Sequence, residues 1–237
     1  MLLESFVSKR INLSMVNKYN VDGVEVLLQD LDNSQTLIHI AKQVFNEDEY
    51  KLNQIDFQPN DIVVDIGANV GSVSILLGKK YPDLKIYSFE PHPLNYQNLV
   101  ENIKLNNLTN IIPVQKAVDG QSNLVKDLSI CYNNTGATSL YKSEKNSNGT
   151  FSVETISFDD IIAQYNINEI KFLKLDCEGS EYDILQNSKK LKDITIHNLS
   201  VEIHTFMEQK GKDTNELISL LEKISINKPQ YKLYTLG

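Results

Sequence analysis

Apolar residues come in short blocks along the middle of this chain. The blocks at Ile62–Ile66, Lys85–Phe89, Ile170–Leu175 and Thr195–Ile203 are strand length and rich in Val, Ile and Phe. Between and after them, apolar positions recur at helical spacing in Ser72–Lys80, Leu94–Asn106, Ser180–Ser188 and Asp213–Ile224. Asn110–Val114 and Lys116–Val118 read as further strands. Ser157–Asp159 opens a helix to Ile167, and Tyr231–Leu236 reads as a final short strand. Strand and helix in alternation predict an α/β fold, a mostly parallel central sheet flanked by helices.

The pattern breaks twice. Residues 1–20 are mixed. Val21–Ile40 alternates weakly on either side of Asp32–Asn33–Ser34, which predicts a hairpin or a strand pair around a turn there. Asn46–Ile55 is expected to be a helix, and Pro59–Asn60–Asp61 the turn into the first sheet strand. Residues 1–58 are therefore expected to be an N-terminal extension packed on a core domain of residues 59–237. The second break, at about 119–157, is rich in Ser, Asn, Gly and Thr with short apolar alternations. It predicts a β-excursion after the third strand, with a tip near Lys142–Thr150 where a substrate lid would sit.

Composition narrows the field. At 237 residues and 41% hydrophobic, the chain can bury a full core. A net charge of −8, from 23 basic and 31 acidic residues, argues against nucleic acid as the main partner. Cys131 and Cys177 form no CxxC pair, which fits a reducing compartment. Glu4 interrupts the apolar run a signal peptide would keep, and no stretch approaches the roughly 20 apolar residues of a membrane span. The cytoplasm is the expected location.

The densest chemistry follows the first core strand. Its apolar run ends in Asp65, then comes a turn with Gly67, Asn69 and Gly71, a helix, a second strand, and Glu90 at its carboxyl end. Strand, glycine turn, helix, strand and acid is how a nucleoside cofactor is held at a parallel sheet edge. Gly67 suits backbone angles closed to other residues, and Gly71 lets the helix start pack closely. The spacing is not the GxGxxG of dinucleotide binders, so an NAD-type dehydrogenase fits less well. It suits S-adenosylmethionine, with Asp65 near the cationic amino-acid end, the helix N-terminus favouring its carboxylate, and Glu90 on the ribose hydroxyls.

A second constellation stands at two later strand ends. Alternation puts Lys174, Asp176 and Glu178 on one face, and Ser200, Glu202 and His204 on one face of the next strand. If these strands are neighbours, Asp176, Glu178, Glu202 and His204 gather at one carboxyl edge. Three roles stay open: His204 or Asp176 as general base, a divalent metal site, or structural pairing of Lys174 with a carboxylate. Glu178 and Glu181 read equally as helix N-terminal acids or as substrate contacts. His39, His92 and His197 read as structural.

The chain resembles the FkbM-type family of S-adenosylmethionine-dependent methyltransferases. The resemblance rests on VVDIGANVG (Val63–Gly71), SFEPHP (Ser88–Pro93), ENIKLNN (Glu101–Asn107), GATSL (Gly136–Leu140), FLKLDCEGSE (Phe172–Glu181) and VEIH (Val201–His204). It implies a class I, Rossmann-like methyltransferase fold with a seven-stranded sheet and one reversed strand. It also implies O-methylation of a sugar or other small-molecule hydroxyl. It makes Asp65, Gly67, Asn69 and Gly71 the cofactor turn, Glu90 the ribose acid, and Asp176 the acid beside the methyl donor. Glu178, Glu181, Glu202 and His204 would face the acceptor. The chain departs from the pattern at its end, where the reversed strand is absent or very short. Either the N-terminal segment completes the sheet or the edge is left open, and an open edge would favour pairing between chains. A non-catalytic cofactor binder and an RNA methyltransferase of the same fold are the rival readings.

Overall fold

Asp22 and Gly23, at φ 51° and 85°, make the two-residue turn that right-twisted strands favour. They join β1 (Asn17–Val21) to β2 (Val24–Leu28) as an antiparallel hairpin. The turn expected at Asp32–Asn33–Ser34 lies outside the described residues. The computed structural model describes residues 16–30, 37, 40–129 and 150–234. Lys42–Asn46 is one wide helical turn and Leu52–Gln54 a 3₁₀ turn, in place of the single helix expected over Asn46–Ile55.

The core elements then follow the expected order. They are β3 (Ile62–Ile66), α1 (Ser72–Lys80), β4 (Lys85–Phe89), α2 (Pro93–Leu105) and β5 (Ile111–Val114). The excursion comes next. β6 (Ala117–Asp119), β7 (Val125–Ser129) and β8 (Thr150–Ser157) form a small sheet in the order β6-β8-β7. Most of the expected lid tip, and GATSL, lie outside the described residues. The chain returns through α3 (Phe158–Gln164), β9 (Glu169–Leu175), α4 (Glu181–Asn187), β10 (Thr195–His204), α5 (Thr214–Ile224) and β11 (Gln230–Tyr234). Ser157 and Asp213 cap α3 and α5 by accepting from backbone amides, as short polar side chains at helix starts do.

The central sheet has the order β11-β10-β9-β3-β4-β5, and every pair is parallel. The described residues thus give six strands and no reversed one, against the seven that the resemblance implied. β11 occupies the sixth position and pairs directly with β10. Strand side chains alternate between two cores. Val64, Ile66, Leu173 and Leu175 pack with Phe158, Tyr182 and Leu217 on one face. Val63, Ile86 and Phe172 pack with Leu77, Leu99 and the hairpin residues Val26 and Leu28 on the other.

The hairpin is fastened by asparagines of ENIKLNN. Asn106 accepts from the Leu27 amide at 3.0 Å and donates to the Leu27 carbonyl at 2.7 Å. Asn102 does the same for Gln29, at 2.8 and 3.1 Å. Two side-chain amides thereby satisfy an edge that would otherwise lack partners.

Candidate active site

The carboxyl ends of β3, β4, β9 and β10 line a cavity of about 270 Å³. The order β9-β3-β4 places the β3 turn at the switch point of the sheet, where ligands of open α/β folds bind.

One wall is the glycine turn. Gly67 has φ 78°, and a Cβ there would lie 1.7 Å from the Asp176 carbonyl oxygen. Handedness and close approach both demand glycine. Gly71, at φ 92°, would put a Cβ 2.6 Å from Leu99 Cδ1, so it seats α1 on α2 rather than lining the cavity. The amides of Gly67 and Ala68 both donate to the Phe89 carbonyl at 3.0 Å, tying the turn to β4. Asn69, at φ 52°, donates its amide to Glu90 Oε2 at 2.7 Å, and the His92 amide donates to Oε1 at 2.8 Å. A side-chain hydrogen bond from Asn95 joins these two amides on the carboxyl group. Burial pushes the Glu90 carboxyl up to about 7 against the pull of these two amides. His92 caps α2, and burial holds it neutral, with a pKa of about 4.

Asp65 is fully buried beneath the turn and does not line the cavity. Its Oδ2 accepts from Ser74 of α1 at 2.6 Å, and its Oδ1 lies 3.6 Å from Lys174 Nζ. Ser88, Asp65, Lys174 and Ser200 are register partners across β4, β3, β9 and β10, a polar row crossing an otherwise apolar sheet. Lys174 is the centre of this row. It donates to the Gly67 carbonyl at 2.9 Å and pairs with Asp176 Oδ2 at 3.2 Å. Burial opposes its charge, but Asp176 and Asp65 outweigh burial and hold its pKa above the usual lysine value. The sequence placed Asp65 near a ligand's cation. The structure gives it a cation of the protein instead.

The opposite wall is made of charged side chains. β9 and β10 are neighbours, so Asp176, Glu178, Glu202 and His204 do meet at one edge of the cavity. Glu181 does not face it. Fully buried, Glu181 accepts from the amides of Cys177 and Gly179, both at 2.9 Å, and holds His204 Nδ1 at 3.0 Å. Glu178, at φ 55°, brings Oε2 to 3.5 Å from His204 Nε2. Burial works against a charged imidazole, but Glu181, Glu178 and Asp176 overcome it and lift His204 to about 9. Burial and the Asp176 charge together push the Glu202 carboxyl upward.

Two aromatic residues that the sequence reading missed complete this wall. Tyr50 donates to Glu202 Oε1 at 3.0 Å, and its hydroxyl lies 3.4 Å from Asp176 Oδ2. Tyr234 stacks on His204 with ring centroids 5.6 Å apart. Alternation along β11, in register with β10, could have found Tyr234, the partner of His204. No local pattern marks Tyr50. Cys177 lines the cavity as a free thiol, and burial raises its pKa, so it is poorly suited to attack.

Asp176, Glu202 and His204 each offer a donor atom within 4.8 Å of the others, a set that could hold a divalent ion. Lys174 already places an ammonium on Asp176, so the cluster carries a cation of its own. Among the described residues no helix is long and apolar enough to cross a membrane.

The chain is 27% identical to methyltransferase sdnD of Sordaria araneosa over 73% of its own length and 81% of that protein. It is 24% identical to hexuronic acid methyltransferase AglP of Haloferax volcanii, over 85% and 75% respectively. Among solved structures it is similar to a precorrin-6y C5,15-methyltransferase from Geobacter metallireducens. That match has 13% identity and a TM-score of 0.41, covering 76% of this chain and 71% of that one. The methyltransferase FkbM domain matches residues 65–228, well over half of the chain, a range that holds the glycine turn, Glu90, Asp176 and His204. The chain belongs to the FkbM family of methyltransferases.

Proposed function

We propose that this protein is an S-adenosylmethionine-dependent O-methyltransferase acting on a hydroxyl of a small molecule or sugar. The observation that carries the reading is one cavity with two unlike walls: a glycine turn with a buried carboxylate, facing a cluster of acids and a histidine. This wall suits the cofactor through the buried Glu90 carboxyl group, which lines the cavity beside the turn. Glu90 would hold the ribose hydroxyls, and Asn69 sets the direction of that carboxylate. The N-terminus of α1, where Ser72 lines the cavity, would face the amino-acid carboxylate. When bound, S-adenosylmethionine supplies a methyl group on a sulfonium. The side chains opposite must then hold an acceptor oxygen and take its proton.

Asp176 and His204 are the proton acceptors of this reading, and Glu178 and Glu202 the acceptor contacts. His204 is charged at neutral pH, so it can act as base only after releasing a proton. The two assignments separate by pH. With His204 as base, methyl transfer rises with pH to a plateau above about 9. A rate that lacks this rise excludes His204 as the base. With His204 as base, His204→Ala slows transfer by about 10²–10⁴ while leaving cofactor affinity near normal. The experiment is transfer of labelled methyl to a panel of glycosides and hydroxylated small molecules, followed across pH. Full activity in His204→Ala contradicts the assignment of this wall. The hexuronic acid relative supports a sugar acceptor, and the acidic wall favours a neutral one.

A further inference from the structure

Residues 48–54 form a strap across the acidic wall. Asp48 and Lys51 flank Glu49 and Tyr50 at φ 47° and 57°, a region unfavourable for residues with a Cβ. Such conformations persist only where surrounding contacts enforce them. Here the contacts are specific. The Asp48 carboxylate accepts from the amides of Leu52 at 2.7 Å and Asn53 at 3.3 Å, which closes the turn. Glu49 Oε1 pairs with Lys232 Nζ and accepts from the Tyr234 hydroxyl at 3.3 Å, which latches the strap to β11. Tyr50, 7% exposed, points between β9 and β10 and lies 5.3 Å from Lys174 Nζ by its ring centroid.

We infer that Tyr50 is a positioning residue of the transfer reaction: its hydroxyl, delivered by the latched strap, fixes Glu202 beside Asp176 for the acceptor hydroxyl. The inference rests on the proposed O-methyl transfer. One phenol has one proton, and the 3.0 Å contact assigns it to Glu202. Asp176 takes its own donor from Lys174. Two carboxyl groups that repel each other are thereby held side by side, each by a different partner. Glu202 is also faced by Glu49 from the strap and by Tyr234 from β11. Strap, β9, β10 and β11 converge on this one carboxyl group. The N-terminal segment is then part of the acceptor site and not merely packed on it.

The test is Tyr50→Phe, which keeps the ring on Lys174 and removes only the bridging oxygen. Binding of S-adenosylhomocysteine, followed by calorimetry, is expected to stay within about twofold of the parent, because the turn wall is untouched. The Glu202 carboxyl, followed by carbon-13 titration, is expected to move up by about one unit, since it loses the donor that favours its ionised form. On a glycoside that the parent protein methylates, kcat is expected to fall about tenfold or more with KM little changed. Glu49→Gln serves as the second variant. It weakens the latch, keeps the phenol and removes a negative charge facing Glu202, so its Glu202 titration should not rise above that of the parent. An unmoved Glu202 titration in Tyr50→Phe, or full turnover, overturns the inference. A folded parent protein that binds no S-adenosylhomocysteine overturns the proposed function instead, and the titration still reports on Tyr50.

Discussion

The two walls of the cavity solve the same problem by different means. The turn wall is mostly backbone: Gly67, Ala68 and Asn69 aim amides at β4 and Glu90, and all its parts lie within one strand-turn-helix-strand unit. The acidic wall is mostly side chains, drawn from the N-terminal strap, β9, β10 and β11. Backbone geometry is rigid and insensitive to pH, whereas a cluster of ionisable side chains holds its shape only while its charges balance. Under the proposed function the cofactor would rest on the first kind of wall and the acceptor on the second. Lys174 joins the two, with one contact to the Gly67 carbonyl and another to Asp176.

Breaking the turn wall should have the largest effect. Gly67→Ala combines a disallowed handedness with a Cβ driven into the Asp176 carbonyl, and should cost about 4 kcal/mol in urea unfolding. If stability were unchanged, the turn would be looser than this account requires. Cutting the link between the walls should come next. Lys174→Met strands the fully buried Asp65 carboxylate and should cost about 3 kcal/mol in the same measurement. A smaller loss would mean that Ser74 alone satisfies Asp65.

The finest effect separates the walls by ligand rather than by stability. Glu90→Gln should weaken S-adenosylhomocysteine by about thirtyfold, near 2 kcal/mol, with little effect on folding. Glu90 titrates at about 7 and would accept ligand hydroxyls as a carboxylate. Parent affinity should therefore be full above pH 7 and fall about tenfold for each unit below it. The Glu90→Gln variant should lose that slope. A slope that persisted would place the titrating group elsewhere.

The same contrast decides how much could be read from the sequence. Ser72–Lys80 and Lys85–Phe89 form with the expected bounds, because an apolar run, a glycine turn and a late acid are local signals. The β1–β2 hairpin was not expected from the sequence. Asp22-Gly23 is the stronger two-residue turn, and the longer polar run Asp32–Asn33–Ser34 drew the expectation away from it. The pairing of β9 and β10 made the acidic edge legible as a group. It did not tell which acids face outward: Glu181 turns inward to bind its own loop and His204. Tyr50 was out of reach, since its partners lie 126 and 152 residues further along the chain. Spacing carries no information at that range. Where the resemblance implied a reversed strand, β11 runs parallel beside β10.

The central claim is that the turn at 67–71, with Glu90, holds the sulfonium donor. Calorimetric titration of the folded protein with S-adenosylhomocysteine at pH 8 tests it most directly. The account predicts one site per chain, retained in His204→Ala and weakened in Glu90→Gln. A folded protein that releases no binding heat and shows no thermal stabilisation with this ligand contradicts it.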